Sequence, residues 1–506
     1  MEIFMGALWE ILQPASVMLM FLGVAVGIVF GSIPGLSAAM AIALFLPITF
    51  TMGPNAGMTL LVSLYIGAIS GGLISAILLN IPGTPSSIAT CFDGSPMARQ
   101  GEAGKALGAG IVFSFLGGLL SFIALIFIAP PLAKFTLRFS PIEYFAITIF
   151  ALTMIASLSS GSMVKGLLSG MIGLLLATVG VSPIDGARRF TLDIDNLTSG
   201  FDLLPYLIGL FAITEVLIAA EQFSADKHVE PLALKKIKGF GFTLAEFFAQ
   251  KWNLLRSSLI GLFIGILPGI GGSTSSILAY IAAKKQSKHP EKFGTGIMDG
   301  VVASESANNA TIGGALIPLL ALGIPGDGVT AMMLGGFLIH GLTPGPLLFK
   351  TSAEFVYGIF AACLVANVIM LFLEFFGLRI YVKLLKVPKY ILLPIIVVMC
   401  VVGAFSVNSR MFDAESILLF GLIGYLMYKA KLPLAPAVLS FILCPLIETN
   451  LRRGLMLTEG SFLEFFTRPI SLFFLLAAAA ALIIPLLKTF RAHQAAKARQ
   501  AAKAEA

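Results

Sequence analysis

Apolar residues run through this chain in long blocks. The blocks at 111–129, 203–220, 355–376 and 470–487 each reach the roughly 18–20 mostly apolar residues that cross a bilayer as a helix. About ten to twelve such segments can be counted, several of them interrupted, which predicts an all-α polytopic membrane protein. No stretch shows the alternation of a membrane β-barrel. The interruptions carry most of the information. One block ends in LLNIPGTPSSIATCFDG (78–94), where Pro82-Gly83 breaks the helix and Thr84, Ser86, Ser87 and Thr90 offer four hydroxyls.

The interruptions are duplicated. The first half reads GSIPGLSAA (31–39) and then GGLISAILLNIPGTPSS (71–87); the second reads GILPGIGGSTSS (265–276) and then GGALIPLLALGIPGDGVT (313–330). Pro34 and Pro268 are 234 positions apart (268 − 34), and Pro82 and Pro325 are 243 apart (325 − 82), so the second interval holds nine more residues. Proline and glycine alone can kink membrane helices. Broken segments at corresponding places in two halves point further, to the binding site of a secondary transporter. The expected organisation is a first membrane repeat at 1–220, a basic linker at 221–256, a second repeat at 257–487 and a basic tail at 488–506, with broken helices or re-entrant hairpins in both repeats.

A break leaves backbone N–H and C=O groups unpaired at membrane depth, tolerable only where they are enclosed by protein or line a cavity. A helix restarting there aims its free N–H groups and positive dipole end into that space, and an anion is the natural guest. The substrate-binding residues expected on this ground are Gly35, Ser37, Pro82, Gly83, Thr84, Ser86 and Ser87 in the first half, and Gly269, Gly271, Ser273, Thr274, Pro325 and Gly326 in the second. Ser275 and Ser276 add oxygens, unless these serines only back-bond to helix carbonyls.

Composition agrees with a membrane protein: 58% hydrophobic, 12% charged and a mean hydropathy of +0.97. The net charge of +7 is not a nucleic-acid signal, because the basic residues sit in loops and in the tail, as the positive-inside rule expects. Lys488, Arg491, Lys497, Arg499 and Lys503 place the C-terminus in the cytoplasm, and Lys227, Lys235, Lys236, Lys238, Lys251 and Arg256 do the same for the linker. Glu2 and Glu10, with no basic residue before the first span, point to an outside N-terminus, which makes the two repeats inverted. No signal peptide is read. The four cysteines (Cys91, Cys363, Cys400, Cys444) are scattered and support neither a disulfide framework nor a zinc site.

Two stretches, ILLNIPGTPSSIATCFDGSPMARQGEAGKALG (77–108) and ESANNATIGGALIPLLALGIPGDGVTAMMLGGFLIHGLTPGPLLF (305–349), resemble the signature of the large membrane subunit of the tripartite tricarboxylate transporters, the TctA family. The likeness extends from about residue 10 to 490. It implies carboxylate uptake across a bacterial inner membrane, driven by a cation gradient, with sodium (or a proton) as coupling ion and no covalently bound cofactor. It implies a small four-helix membrane subunit and a periplasmic solute-binding protein as partners. Ser304 departs from the pattern: ASESANNA stands where the family reads more like APEAANNA, which leaves the local backbone open.

Among the polar residues, Glu305, Asn308 and Asn309 stand out. Either they lie inside the membrane, where an ionisable residue is functional by default, or 303–314 is an extramembrane loop. Asp327 is either a helix N-cap or an oxygen ligand for sodium; with Asn308 and Asn309 it forms the expected metal set. His340 is either a proton relay or a packing residue. Asp93, Arg99, Glu102 and Lys105 belong to a connector or a docking loop. GEAGKA in that stretch lacks the P-loop spacing, and no zinc-hydrolase or G-x-S-x-G motif occurs, so neither ATP hydrolysis nor an enzyme is expected. A stand-alone anion carrier or channel without a binding protein is the competing function.

Overall fold

The structure, a computed structural model, describes residues 2–158, 162–222, 240–384 and 389–504. It is helical almost throughout. In chain order the main elements are α1 (Glu2–Ile11), α2 (Pro14–Ser32), α3 (Ala38–Thr49), α4 (Pro54–Leu79), α5 (Ile88–Met97), α6 (Ala103–Thr136), α7 (Pro141–Leu158) and α8 (Met163–Ala177). A two-residue hairpin follows, β1 (Gly180–Val181) antiparallel to β2 (Arg188–Arg189). Then come α9 (Leu203–Glu221), α10 (Lys251–Ile266), α11 (Gly271–Gln286), α12 (Met298–Leu322), α13 (Gly328–Ile339), α14 (Ala353–Leu384), α15 (Lys389–Asn408), α16 (Met411–Lys429), α17 (Leu434–Leu457) and α18 (Pro469–Ala504). Among the described residues, seven helices are long and apolar enough to cross a membrane, and six shorter apolar helices accompany them. The protein is an all-α, multi-pass membrane protein. The expected basic linker falls mostly on 223–239, outside the described residues, as do the side chains of the tail from 488 onward.

The chain forms two compact units. One comprises Arg138–Phe201 and Met427–Ala506, in which α17 packs on α7 and α8 and α18 packs on α7. There Arg189 grips Glu448 with one nitrogen at 2.9 and 3.0 Å from the two carboxylate oxygens, and Arg452 meets Asp185 at 2.9 Å. The other unit, Met1–Leu137 with Asp202–Leu426, holds every broken segment.

Two helices form the centre of that larger unit. α4 is buried from Gly57 through Leu78, and α12 at every position from Gly300 through Ala321. α2 packs on α4 as α10 packs on α12, and α14 lies on α4 as α6 lies on α12. The glycines make these contacts possible. A Cβ at Gly27 would stand 2.5 Å from Leu64 O and one at Gly31 2.0 Å from Ala68 O. In the second half, Gly261 faces Ala307 O at 2.2 Å and Gly265 faces Thr311 O at 2.6 Å. The offsets of the sequence repeat are kept: 234 for the glycines (261 − 27, 265 − 31) and 243 for their partners (307 − 64, 311 − 68). Small residues four apart let membrane helices meet backbone to backbone, and the same device has been used twice.

The segment around residue 93 is not a loop. α5 continues to Met97, a π-turn spans Ala98–Glu102 with Gly101 at φ 87°, and α6 begins at Ala103. Lys105 there pairs with Glu246. The polar stretch at 303–314 lies wholly within α12, which excludes the extramembrane-loop reading. Ser304 sits inside that helix and donates to Gly300 O and Val301 O at 3.0 and 3.1 Å, so the backbone runs through without a break.

Adding a methyl at Gly31 or Gly265 pushes into a backbone carbonyl that cannot rotate away. Each Gly→Ala change is expected to destabilise the purified protein by about 1–3 kcal/mol, the usual penalty of overpacking. Gly358→Ala, on α14 with nothing within 4 Å, is the control. Apparent melting temperatures in detergent should fall for the first two and hold or rise for the third.

Candidate functional site

The four breaks share one construction per half. In the first half α2 stops at Ser32, Gly35 takes φ 92°, and Ser37 caps α3 by accepting Met40 N at 3.1 Å. α4 ends at left-handed Asn80 (φ 58°), and the chain passes Pro82-Gly83 before a 3-10 turn at Pro85–Ser87 leads into α5. In the second half Gly269 and Gly271 have φ 80° and 67°, α12 ends at left-handed Gly323 (φ 74°), and Asp327 opens α13. Gly83 and Gly326 are demanded by close approach. A Cβ at Gly83 would lie 2.0 Å from Gly31 O, and one at Gly326 2.6 Å from Gly265 O. Each second break is thus pressed onto the first break of its own half, and Gly269 N donates to Gly326 O at 2.7 Å.

The restarted helices also match. Thr84 N donates to Ser87 Oγ (3.3 Å) and Ser87 Oγ to Thr84 O (2.9 Å); Asp327 N donates to Thr330 Oγ1 (2.9 Å) and Thr330 Oγ1 to Asp327 O (3.0 Å). Both pairs are 243 residues apart (327 − 84, 330 − 87).

The first-half turn reaches the start of α11. A Cβ at Gly272 would lie 2.9 Å from Ser86 Cβ and 2.9 Å from Asn308 Oδ1. Ser86 Oγ bonds Thr84 Oγ1 at 3.0 Å. Asn308 is 1% exposed, and neither its Nδ2 nor its Oδ1 makes a hydrogen bond of normal geometry. Of the expected substrate residues, the structure therefore gathers Thr84, Ser86 and Ser87 with the first turn of α11, which carries Gly271, Ser273 and Thr274. Gly35 and Ser37 lie at the first-half break. Ser275 and Ser276 are structural: Ser275 Oγ bonds Gly272 O (2.9 Å) and Thr311 Oγ1 (2.7 Å), and Ser276 Oγ donates to Ser273 O (3.0 Å).

Of the expected metal set, Asp327 is engaged by protein. Its Oδ1 accepts Thr330 N and Thr330 Oγ1, both at 2.7 Å, and its Oδ2 accepts Tyr65 OH from α4 at 2.7 Å. Asn309 donates to Glu305 O at 3.2 Å and keeps a buried Oδ1 without a partner. Among the described residues no cluster of three or more His, Cys, Asp or Glu could hold a metal ion.

Other buried polar groups surround this region. Glu305 is fully buried on α12 and accepts Thr90 Oγ1 from α5 and Ser114 Oγ from α6 at 2.9 Å. Glu374 on α14 is also fully buried, accepts Ser70 Oγ from α4 at 2.9 Å, and leaves Oε1 unpartnered. Its only sequence signal is a lone acid in LFLEFFG. Asp93 is buried too. Its Oδ1 accepts Gly294 N, Gly296 N and Ile297 N at 2.9, 2.9 and 3.1 Å, clasping the turn that precedes α12. His340 Nε2 stands 2.5 Å from where Gly57 would carry a Cβ and has no partner.

Comparison with known proteins adds the following. The family model described as "Tripartite tricarboxylate transporter TctA family" matches residues 17–439. The chain is 37% identical over 480 residues to the "Uncharacterized 52.8 kDa protein in TAR-I ttuC' 3'region" of Agrobacterium vitis, covering 95% of each chain. It is 36% identical over 231 residues to the "Uncharacterized protein in TAR-II ttuC' 3'region" of the same organism, covering 46% of this chain and 96% of that one. No solved structure matches.

The Asp93 clasp makes a separate prediction. Asp93→Ala strips three backbone N–H groups of their shared acceptor, so the turn before α12 should open more often. Amide hydrogen exchange across Gly294–Ile297 should speed up by at least tenfold, in line with about 1.5–3 kcal/mol for a hydrogen bond to a charged group. Asp93→Asn, which keeps one acceptor oxygen, should fall between.

Proposed function

Because the chain belongs to the tripartite tricarboxylate transporter TctA family, we propose that it carries a di- or tricarboxylate across a bacterial inner membrane by cation-coupled alternating access. As the large membrane subunit it works with a small membrane subunit and receives substrate from a periplasmic solute-binding protein. The C-terminus faces the cytoplasm. The observation that carries this reading is the meeting of two helix starts, at Thr84–Ser87 and at Gly271–Thr274, over the unpartnered amide of Asn308. Helix starts, hydroxyls and an amide offer an anion hydrogen-bond donors without a buried cation.

The coupling ion is sodium, with a proton as the alternative. Asn309, whose buried Oδ1 lacks a partner, is the oxygen of the expected metal set that suits a hard cation. The two repeats are inverted, and the broken segments move against the long spans α6 and α14. A stand-alone anion carrier is the second reading; the same broken repeats would serve it.

Uptake of labelled carboxylates into proteoliposomes tests the reading. Accumulation should require a cation gradient and should rise sharply when the small subunit and binding protein are added. Accumulation equal with and without the binding protein would favour the stand-alone carrier, and no carboxylate uptake under any condition would refute the proposal. Single cysteines at Ser86 and Ser273, in a background lacking the four native cysteines, should change their labelling rate by severalfold when carboxylate and sodium are added together. Unchanged rates at both positions would contradict movement at this site.

A further inference from the structure

The repeat places two equivalent positions in the molecule, and they are furnished differently. In one, Tyr65 of α4 faces Asp327 at the start of α13, and α3, which opens with Ala38, packs on both helices. In the other, Asn308 of α12 lies by the turn that Thr84 opens, beside Gly272 of α11. The correspondence is residue by residue: Tyr65 with Asn308 (308 − 65 = 243), Asp327 with Thr84 (327 − 84 = 243), Val329 with Ser86 (329 − 86 = 243) and Gly272 with Ala38 (272 − 38 = 234).

At the first position the protein supplies its own carboxylate. Asp327 receives Tyr65 OH, Thr330 N and Thr330 Oγ1, each at 2.7 Å. The start of α11 is also placed against it, where a Cβ at Gly271 would stand 3.7 Å from Asp327 Cβ. At the second position the residue that opens the turn supplies no carboxylate. Thr84 has a hydroxyl in place of the carboxylate, glycine replaces alanine, Ser86 replaces valine, and α11 opens with Ser273 and Thr274. The residue equivalent to Tyr65 is Asn308, 1% exposed, with both amide atoms unpartnered. It stands beside the Glu305 carboxyl without a hydrogen bond of normal geometry to it.

We infer that Asp327 is the protein's built-in copy of the ligand, and that the Thr84–Ser86–Gly272–Asn308 position is where a substrate carboxylate takes the corresponding place. With its amide turned so that Nδ2 and not Oδ1 faces Gly272, Asn308 then donates to the substrate as Tyr65 OH donates to Asp327. Ser86 Oγ and the first-turn amides of α11 supply the other hydrogen bonds, and Gly272, where a Cβ would press on Ser86 Cβ and Asn308 Oδ1 at 2.9 Å, lets the start of α11 approach both. Asn308 serves the carboxylate, not sodium. Each chain has one such subsite, because its twin is already filled. This assignment rests on the carboxylate-transport reading above.

The test is to fill the open position with the protein's own carboxylate. Thr84→Asp reproduces the filled half, and aspartate is as good an N-cap as threonine, so the fold should tolerate it. Thr84→Asn has the same shape without the charge. Binding of a panel of labelled mono-, di- and tricarboxylates, citrate and succinate among them, is measured on the full chain in detergent, with melting temperature as the check on folding. Wild type should bind with a stoichiometry of one. Thr84→Asp should weaken binding by at least about a hundredfold, and Thr84→Asn should bind at least about tenfold tighter than Thr84→Asp, the scale of repulsion between buried like charges. Asn308→Ala should weaken binding by about tenfold to a hundredfold, the loss of a charge-assisted hydrogen bond. If Thr84→Asp melts early, Asn308→Ala decides alone. Wild-type-like binding by folded Thr84→Asp or by Asn308→Ala overturns the assignment and leaves the transport reading intact. A wild type that binds no member of the panel overturns the transport reading, and the assignment with it.

Discussion

Backbone pressed against backbone is the contact on which this molecule depends. A helix broken at membrane depth exposes polar main-chain groups that lipid cannot satisfy, so a break must be enclosed by protein. Gly83 against Gly31 O and Gly326 against Gly265 O achieve this by seating the second break of each half directly on the first. The glycines of α2 and α10 extend the same contact down α4 and α12, the two helices buried on every side. Any Cβ in these rows would separate the helices and expose the breaks.

From that packing a polar interior follows. Once α4 and α12 are shielded all round, they can carry residues that no lipid-facing helix could, including Glu305, Asn308 and Asn309 on one and Tyr65 and Ser70 on the other. Buried polar groups must find partners, and most do: Thr90 and Ser114 for Glu305, Ser70 for Glu374, Tyr65 and Thr330 for Asp327. Several do not, among them Ser75 Oγ, Ser306 Oγ, Asn309 Oδ1 and Glu374 Oε1, and Asn308 leaves both amide atoms without a hydrogen bond of normal geometry where two helix starts meet. The two equivalent positions differ in a few side chains: Asp327 opens the helix at one, Thr84 the turn at the other.

Much of this could be read from the sequence, and for a physical reason. The repeat survives in Pro and Gly because breaks and close contacts tolerate few substitutes. Thus Pro34 and Pro268 or Pro82 and Pro325 disclose the architecture, and Asn80 and Gly323 mark the same left-handed helix end. The all-α membrane fold and the family followed from hydropathy and from motifs of this kind. Pairings between distant segments were out of reach. Nothing in IATCFDG says that Asp93 will gather three amides some 200 residues away, and nothing in LFLEFFG says that Glu374 will meet Ser70. The polar run at 303–314 left a loop reading open beside the helix, since hydropathy reports an average environment and this helix is buried by protein. Tyr65 and Asn308 could be aligned from the repeat, but only the structure reveals that Tyr65 donates to Asp327 while Asn308 faces a helix start that carries no carboxylate.

The most direct measurement is an experimental structure of the chain with a bound dicarboxylate. The account predicts ligand density between Ser86 and the first turn of α11, with one carboxylate within hydrogen-bond distance of Asn308 Nδ2 and with the Tyr65–Asp327 bond intact. Density for the carboxylate against Tyr65, with Asp327 displaced, or at any place remote from both helix starts, would contradict it.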